Sequence, residues 1–313
     1  MQENLSSCFL VEIHVILFGV DEKIFDINLL NDYRIERMSL VPNISHLDEI
    51  FNVNAIELRR SYNSAVIDSS LNIACAIKKY QIVFPPKQAN DSIEALHQLI
   101  SNELTILDNQ IRTIRLIAEQ SIRFKEFVYN IYSMTSNNTK TLFLQGKAPL
   151  QEAYSRPIAS SLTKEEAEFI NKTLGTIKIP FEDQHLNQCY LLYDLSYHQL
   201  TYANALLLLI TCLEMLFLIK GDFKKIDMSK RCAVFISQDQ QERLIIFSKL
   251  KNLYSKRSNF VHEGNVNIQE KDIIYLRECV RKSILKYLEY RKNKKDIIAE
   301  LKNEIILCRY FPV

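Results

Sequence analysis

The stretch that decides the fold of the C-terminal half is Leu253-Tyr-Ser-Lys-Arg-Ser-Asn-Phe-Val-His-Glu-Gly264, a helical sequence that stops at a glycine. Within it, Arg257 and His262 form an Rx4H element. The spacing alone is weak, because 6 His and 15 Arg among 313 residues give about one match by chance when spacers of four, five or six residues are allowed. The sequence on either side must therefore decide what the element means.

The neighbouring segments are helical and occur in a definite order. Upstream lies Ala205-Leu-Leu-Leu-Leu-Ile-Thr-Cys-Leu-Glu214, an apolar helix with one acid, followed by Lys230-Arg-Cys-Ala-Val-Phe-Ile236. Downstream, a long helical pattern covers Ile273 to Tyr290. Apolar residues at three- and four-residue steps predict a helical bundle with short connections. The predicted helices lie near 185–219, 227–237, 240–256, 268–292 and 294–308.

Together these segments resemble the Apea-like branch of the HEPN superfamily over roughly residues 185–292. The resemblance implies a helical bundle that often dimerises. In many members it also implies a ribonuclease of antiviral-defence or toxin systems, with the Arg and His of the motif as catalytic residues. Carried over to this chain, those residues are Arg257 and His262.

Two positions depart from the family's pattern. Ser258 stands where many members have Asn, Asp or His, with Asn259 one residue later, and Gly264 replaces a Tyr of the toxin branch. The intact Arg257 and His262 predict an enzyme in which Ser258 takes the polar role. The departure at Ser258 favours the alternative, a bundle that dimerises and binds RNA or a protein without cutting.

The chemistry of the pair can also be derived without the resemblance. RNA carries its own nucleophile, the 2′-hydroxyl, and His262 is the natural base to take its proton near neutral pH. The guanidinium of Arg257 can grip two oxygens of the more negative phosphorane and never loses its charge. This minimal site needs no metal and no cofactor, and its expected products are a 2′,3′-cyclic phosphate and a 5′-hydroxyl.

Geometry constrains the pair, because residues five apart on a straight helix are rotated by about 140°. We therefore expect a kink or helix break near Ser258 and Asn259, both good capping residues, or a dimer in which one chain's Arg257 meets the other's His262. The alternative is that both residues merely cap carbonyl groups at a helix end that Gly264 terminates.

Several nearby side chains are assigned supporting parts. Glu214 either orients Arg257 or neutralises it within the bundle, and Tyr254 is expected to pack beside the motif.

Between Lys220 and Arg257, 10 basic residues stand against 4 acidic ones, although the whole chain carries only +2. This local basic field suits RNA, and solvated helix faces are the alternative. Three residues are candidates for phosphate contacts on the same terms: Lys251, Lys256 and Arg243.

Metal sites and membrane segments are not expected. His185 and Cys189 could share a helix face, but a zinc site needs three or four ligands and no companion set stands nearby. The apolar run 205–219 is short for a membrane span and contains Glu214. The seven cysteines are irregularly spaced and form no CxxC pair, so we expect buried thiols in a cytoplasmic protein.

The N-terminal half predicts a different, mixed domain. Stretches rich in Ile, Val and Phe predict strands at 8–20 and 79–84, with short strands or edges around 24–30 and 33–41. The chain is thus expected to be an α-rich α+β protein.

Two helix starts complete the prediction for this half. A helix is expected from about Asp91 to Met134, then a weakly patterned connection at 135–160, then a capping box at Thr163-Lys-Glu-Glu166 that opens a helix to Leu174. We divide the chain into a sensing or regulatory domain at 1–160, open to a regulatory protein partner, and the HEPN-type bundle at 161–313.

Overall fold

The computed structural model describes residues 7–40, 47–52, 57, 65–84, 92–118, 122–124, 126–134, 139–149, 162–264 and 267–307. Two compact units are present, one of residues 1–152 and 157–178, the other of residues 153–156 and 179–313. Among the described helices, none combines the length and the apolar character needed to cross a membrane.

The first unit is built on an antiparallel sheet. Its strands are β1 (Ser7–Phe18), β2 (Arg34–Ser39), β3 (Asn72–Phe84), β4 (Arg123–Phe124), β5 (Glu126–Met134) and β6 (Lys140–Pro149). The order is β2-β3-β1-β5-β6, and β4 pairs with β1. β1 is therefore central, with β3 and β5 antiparallel on its two sides. Its apolar alternation buries Val11, Ile13 and Val15 on one face.

The strands predicted at 8–20, 33–41 and 79–84 are confirmed as β1, β2 and the second half of β3. The stretch at 24–30 differs, because a 3-10 helix covers Glu22–Asp26. Asp21 initiates that turn, since its side chain accepts a hydrogen bond from the Lys23 amide at 2.9 Å.

Three α-helices of the first unit have their bounds within the described residues: α1 (Leu47–Phe51), α2 (Ser92–Ala118) and α3 (Lys164–Thr173). The helix expected to continue to Met134 is wrong beyond Ala118, because the sequence changes there to the aromatic and β-branched residues of β5. The expected connection at 135–160 contains β6, and its residues 135–138 and 150–160 lie outside the described ones.

The capping box that opens α3 is confirmed. The Thr163 hydroxyl accepts from the Glu166 amide at 3.1 Å, and the Glu166 carboxylate accepts from the Thr163 amide at 2.9 Å. Ala167 and Ile170 are buried in the core of the first unit. The structure thus groups this helix with the sheet, whereas the division at 160/161 groups it with the bundle.

The second unit is helical throughout its described residues. Its helices are α4 (Gln184–Leu195), α5 (Tyr202–Phe217), α6 (Lys224–Ile236), α7 (Gln240–Glu263), α8 (Glu270–Tyr290) and α9 (Lys294–Leu307). The single helix predicted at 185–219 is interrupted by a 3-10 turn at Ser196–His198, after which Thr201 caps α5. With the sheet of the first unit, this bundle confirms the α+β class.

The apolar helix α5 supplies much of the second core, with eight of its residues buried: Ala205, Leu206, Leu209, Ile210, Cys212, Leu213, Leu216 and Phe217. The six cysteines of the described part are unpaired, and five of them are buried. Burial raises the pKa of Cys75 and of Cys232 to about 12, so both remain unreactive thiols.

Candidate functional site

Helix α7 carries both residues of the Rx4H element near its C-terminal end. Asp239 caps its start by accepting a hydrogen bond from the Glu242 amide at 2.8 Å, and Gly264, with φ of 72°, ends it in the left-handed conformation. The fully buried positions of the helix stop at Tyr254 and recur at three- and four-residue steps: Arg243, Ile246, Phe247, Leu250, Leu253 and Tyr254. The motif therefore stands on the last turns, beyond this buried stripe.

The helix is continuous through Ser258 and Asn259, so the helix break that was one expectation for these residues is absent. Single Ser and Asn residues cost a helix only a few tenths of a kcal/mol, about 0.5, which the packing of the buried stripe overrides. On a continuous helix, Arg257 and His262 are separated by about 140°. Within one chain the two side chains therefore leave the helix on different sides.

Arg257 is half-buried and lies beside Tyr254, with its Cζ 5.9 Å from the ring centroid. Its Nε is excluded from solvent and has no hydrogen-bond partner in the described part of the chain. No carboxylate of the described residues forms an ion pair with its guanidinium. An unsatisfied buried donor costs about 1–3 kcal/mol, and an anion bound beside Arg257 would relieve that cost.

Glu214 contacts Tyr254 rather than forming an ion pair with Arg257. The Tyr254 hydroxyl donates to Glu214 Oε1 at 2.6 Å, which ties α7 to the last turn of α5. Burial and the Glu214 carboxylate raise the pKa of Tyr254 to about 12. Tyr254 thus remains a hydrogen-bond donor near neutral pH, and Glu214 forms no ion pair with Arg257.

His262 is exposed in the last turn of α7. Ser258 precedes it by four residues, so the two lie one above the other on the same side of the helix. Asn259, three residues before His262, is an exposed neighbour. Ser258, although adjacent to Arg257 in sequence, is therefore placed with His262.

The three candidate phosphate-binding residues have different surroundings. Lys251 is half-buried, with its Nζ 5.6 Å from the Phe247 ring centroid, and no described carboxylate pairs with it. Lys256 is neutralised by Asp272, whose Oδ2 lies 2.6 Å from its Nζ. Lys251 is thus the one of these two whose charge is open to a phosphate.

Arg243 does not suit the phosphate-binding role. It is buried, with its Nε donating to the Ser237 carbonyl oxygen at 2.9 Å and its Nη2 to Glu304 at 2.5 Å. Its guanidinium links the start of α7 to α9, so its contribution is to the fold.

Lys225 was missed by sequence reasoning. Its Nζ lies 3.5 Å from the Ser255 hydroxyl, a contact between α6 and α7 that only helix packing creates. Ser255 follows Lys251 by four residues and precedes Ser258 by three, and Ser258 precedes His262 by four. This spacing places all four residues on the same side of α7. We call this set the polar stripe: Lys251, Ser255, Ser258 and His262.

The described residues contain no group of three or more His, Cys, Asp or Glu side chains suited to a metal. The pair noted in the sequence has structural partners instead. His185 Nε2 lies 2.8 Å from the Met215 carbonyl oxygen, and the Cys189 carbonyl oxygen accepts from the Cys212 thiol.

Comparison with family models, with curated proteins and with solved structures found no match to this chain. What the site does must therefore be inferred from its own residues.

Proposed function

We propose that the chain is a HEPN-type endoribonuclease that cleaves RNA without a metal, using Arg257 and His262. The observation that carries the proposal is the half-buried guanidinium of Arg257, which has no carboxylate partner among the described residues and an unsatisfied Nε. Such a group suits an anion, and the exposed His262 on the same helix suits proton transfer.

The two residues divide the reaction between them. His262 takes the proton of the 2′-hydroxyl, and that oxygen attacks the adjacent phosphorus. Arg257 stabilises the additional negative charge on the phosphorane oxygens. The bond to the 5′-oxygen then breaks, that oxygen takes up a proton from water, and His262 returns its proton to the solvent, which leaves a 2′,3′-cyclic phosphate and a 5′-hydroxyl.

The geometry of α7 favours a site shared by two copies of the chain. Of the two arrangements that could bring the residues together, a break in the helix does not occur, because α7 runs without interruption from Gln240 to Glu263. The remaining one is a homodimer through the bundle, in which Arg257 of one copy and His262 of the other act on the same phosphate. Val261, next to His262, is 52% exposed and offers apolar surface to such a contact.

Mixed dimers test this arrangement. Arg257→Ala and His262→Ala chains carrying different tags are co-expressed, and dimers containing both are isolated with the two tags. Each mixed dimer keeps one intact shared site, so about half of the wild-type rate is expected, whereas each single variant alone is inactive. Inactive mixed dimers would place the pair within one chain.

A second arm tests the chemistry of the wild-type protein with total RNA, with tRNA and with DNA. Cleavage is expected to persist in EDTA and to spare DNA, since DNA lacks the attacking hydroxyl. Activity that chelation abolishes and a divalent cation restores would contradict the mechanism, and a wild type that cuts no RNA would remove the enzyme assignment.

The alternative is a HEPN bundle that dimerises and binds RNA or a protein without cutting. The observation that favours it is Ser258 at the position after the motif's Arg. Under the ribonuclease proposal, the first unit is the sensing or regulatory part of a cytoplasmic defence or toxin-like effector and the place where a regulatory protein would act.

A further inference from the structure

Arg257 differs from other arginines of the bundle in what its guanidinium contacts. Arg231, Arg243 and Arg277 each donate to a backbone carbonyl oxygen, at 2.6, 2.9 and 2.7 Å. Among the described residues, Arg257 has an unsatisfied Nε and lies over the ring of Tyr254. The fold thus holds these three guanidinium groups with carbonyl oxygens, whereas no such bond holds Arg257 among the described residues.

Glu214 is the acidic side chain that would neutralise Arg257 if the two formed an ion pair. A carboxylate and a guanidinium form a strong two-pronged pair when nothing intervenes, and an arginine neutralised in this way binds phosphate poorly. Here the Glu214 carboxylate accepts the Tyr254 hydroxyl at 2.6 Å. The same ring supports Arg257 from its face, at 5.9 Å.

We infer that Tyr254 is a positioning residue: its hydroxyl engages Glu214, its ring carries Arg257, and the two charges are thereby kept from pairing. The inference rests on the proposed function, in which Arg257 must stay free for an RNA phosphate. Tyr254 never touches the reacting atoms and acts only through Arg257.

The test begins with Tyr254→Phe, which keeps the ring and removes only the hydroxyl. Glu214 then loses its donor and pairs with Arg257. Because losing such a charge entirely costs roughly 10²–10³ in rate, we expect cleavage to fall at least about tenfold. The salt dependence of RNA binding, as log K against log salt, should lose about 0.7 of slope, the contribution of one single-strand phosphate contact.

Rescue separates positioning from a merely structural role. Glu214→Gln keeps an acceptor for the Tyr254 hydroxyl and removes the charge, so alone it should leave cleavage and slope near wild type. Added to Tyr254→Phe, it should restore both. A structural role for the hydroxyl predicts a lowered melting temperature in Tyr254→Phe and no restoration by the second change.

The outcomes keep the two proposals apart. If the wild type cuts RNA while Tyr254→Phe changes neither rate nor slope, the role of Tyr254 is wrong and the ribonuclease stands. If the wild type binds RNA without cutting and the slope falls and recovers as expected, the role of Tyr254 stands and the enzyme falls. A wild type that neither binds nor cuts RNA overturns both.

Discussion

Arg231 and Arg257 belong to neighbouring helices and differ in the hydrogen bonds and ion pairs that their guanidinium groups form. Arg231 is 3% exposed and is held by Asp222 at 2.5 and 2.8 Å and by the Phe217 carbonyl oxygen. Arg257 makes no comparable bond among the described residues. The first arginine is therefore a structural element, and the second is available for chemistry.

We accordingly expect Arg231→Ala to destabilise the protein by about 3–5 kcal/mol, since it leaves the Asp222 side chain, which is only 8% exposed, without its partner. Arg257→Ala should leave the melting temperature nearly unchanged and reduce cleavage by roughly 10²–10³. Thermal unfolding and cleavage rates measured on both variants decide the matter. If Arg257→Ala unfolds the protein instead, Arg257 caps or packs the helix end and is no catalytic residue.

At the scale of the element, α7 brings the polar stripe of Lys251, Ser255, Ser258 and His262 to one side of the helix. Lys225 of α6 extends it through its contact with Ser255. The stripe leads along the helix to the proposed base, so RNA phosphates bound on it would approach His262.

Lys251→Gln is expected to lower the salt slope of RNA binding by about 0.7, because it removes a cation that no described carboxylate neutralises. The matched control removes Lys256 and Asp272 together, as Lys256→Gln with Asp272→Asn, and should leave the slope unchanged. Binding is measured at several salt concentrations, with melting as a check on folding. Equal slopes for Lys251→Gln and wild type would take Lys251 out of the RNA contact.

The elements also show what sequence can predict here. Periodicity and the Thr163 capping box located most helices, because those signals are local. The extent of α7 and the burial of Arg243 could not be predicted, since they depend on packing and on Glu304, 61 residues away. Likewise, Arg257 and His262 are visible as a motif, whereas the Glu214–Tyr254 bond exists only once α5 and α7 pack together.

At the scale of the whole molecule, stability will depend on pH through a buried carboxylate of the first unit. In the first unit, Glu12 lies on the central strand β1, with its Oε2 3.8 Å from His14 Nε2. His14, helped by Lys79 and Lys140, lowers the pKa of Glu12 to about 2 against the opposing effect of burial.

A carboxylate with a lowered pKa stabilises the fold above its ordinary value of 4.5, and that stability is lost as the pH falls towards 2. Glu12→Gln should therefore flatten the decline in urea midpoint between about pH 4.5 and 2, whatever its effect at neutral pH. The exposed Glu168→Gln serves as the control and should decline like wild type. A Glu12→Gln curve parallel to wild type would show that other groups govern acid unfolding.

Because α7 is unbroken, the number of residues in the motif sets the angle between Arg257 and His262 around the helix axis. Each residue inserted or deleted between Arg257 and His262 would swing one group around the helix axis by about 100° and shift it by about 1.5 Å. A chain altered in this way would keep both chemical groups and lose their mutual direction. The number of residues between the two is therefore as much a part of the site as the residues themselves.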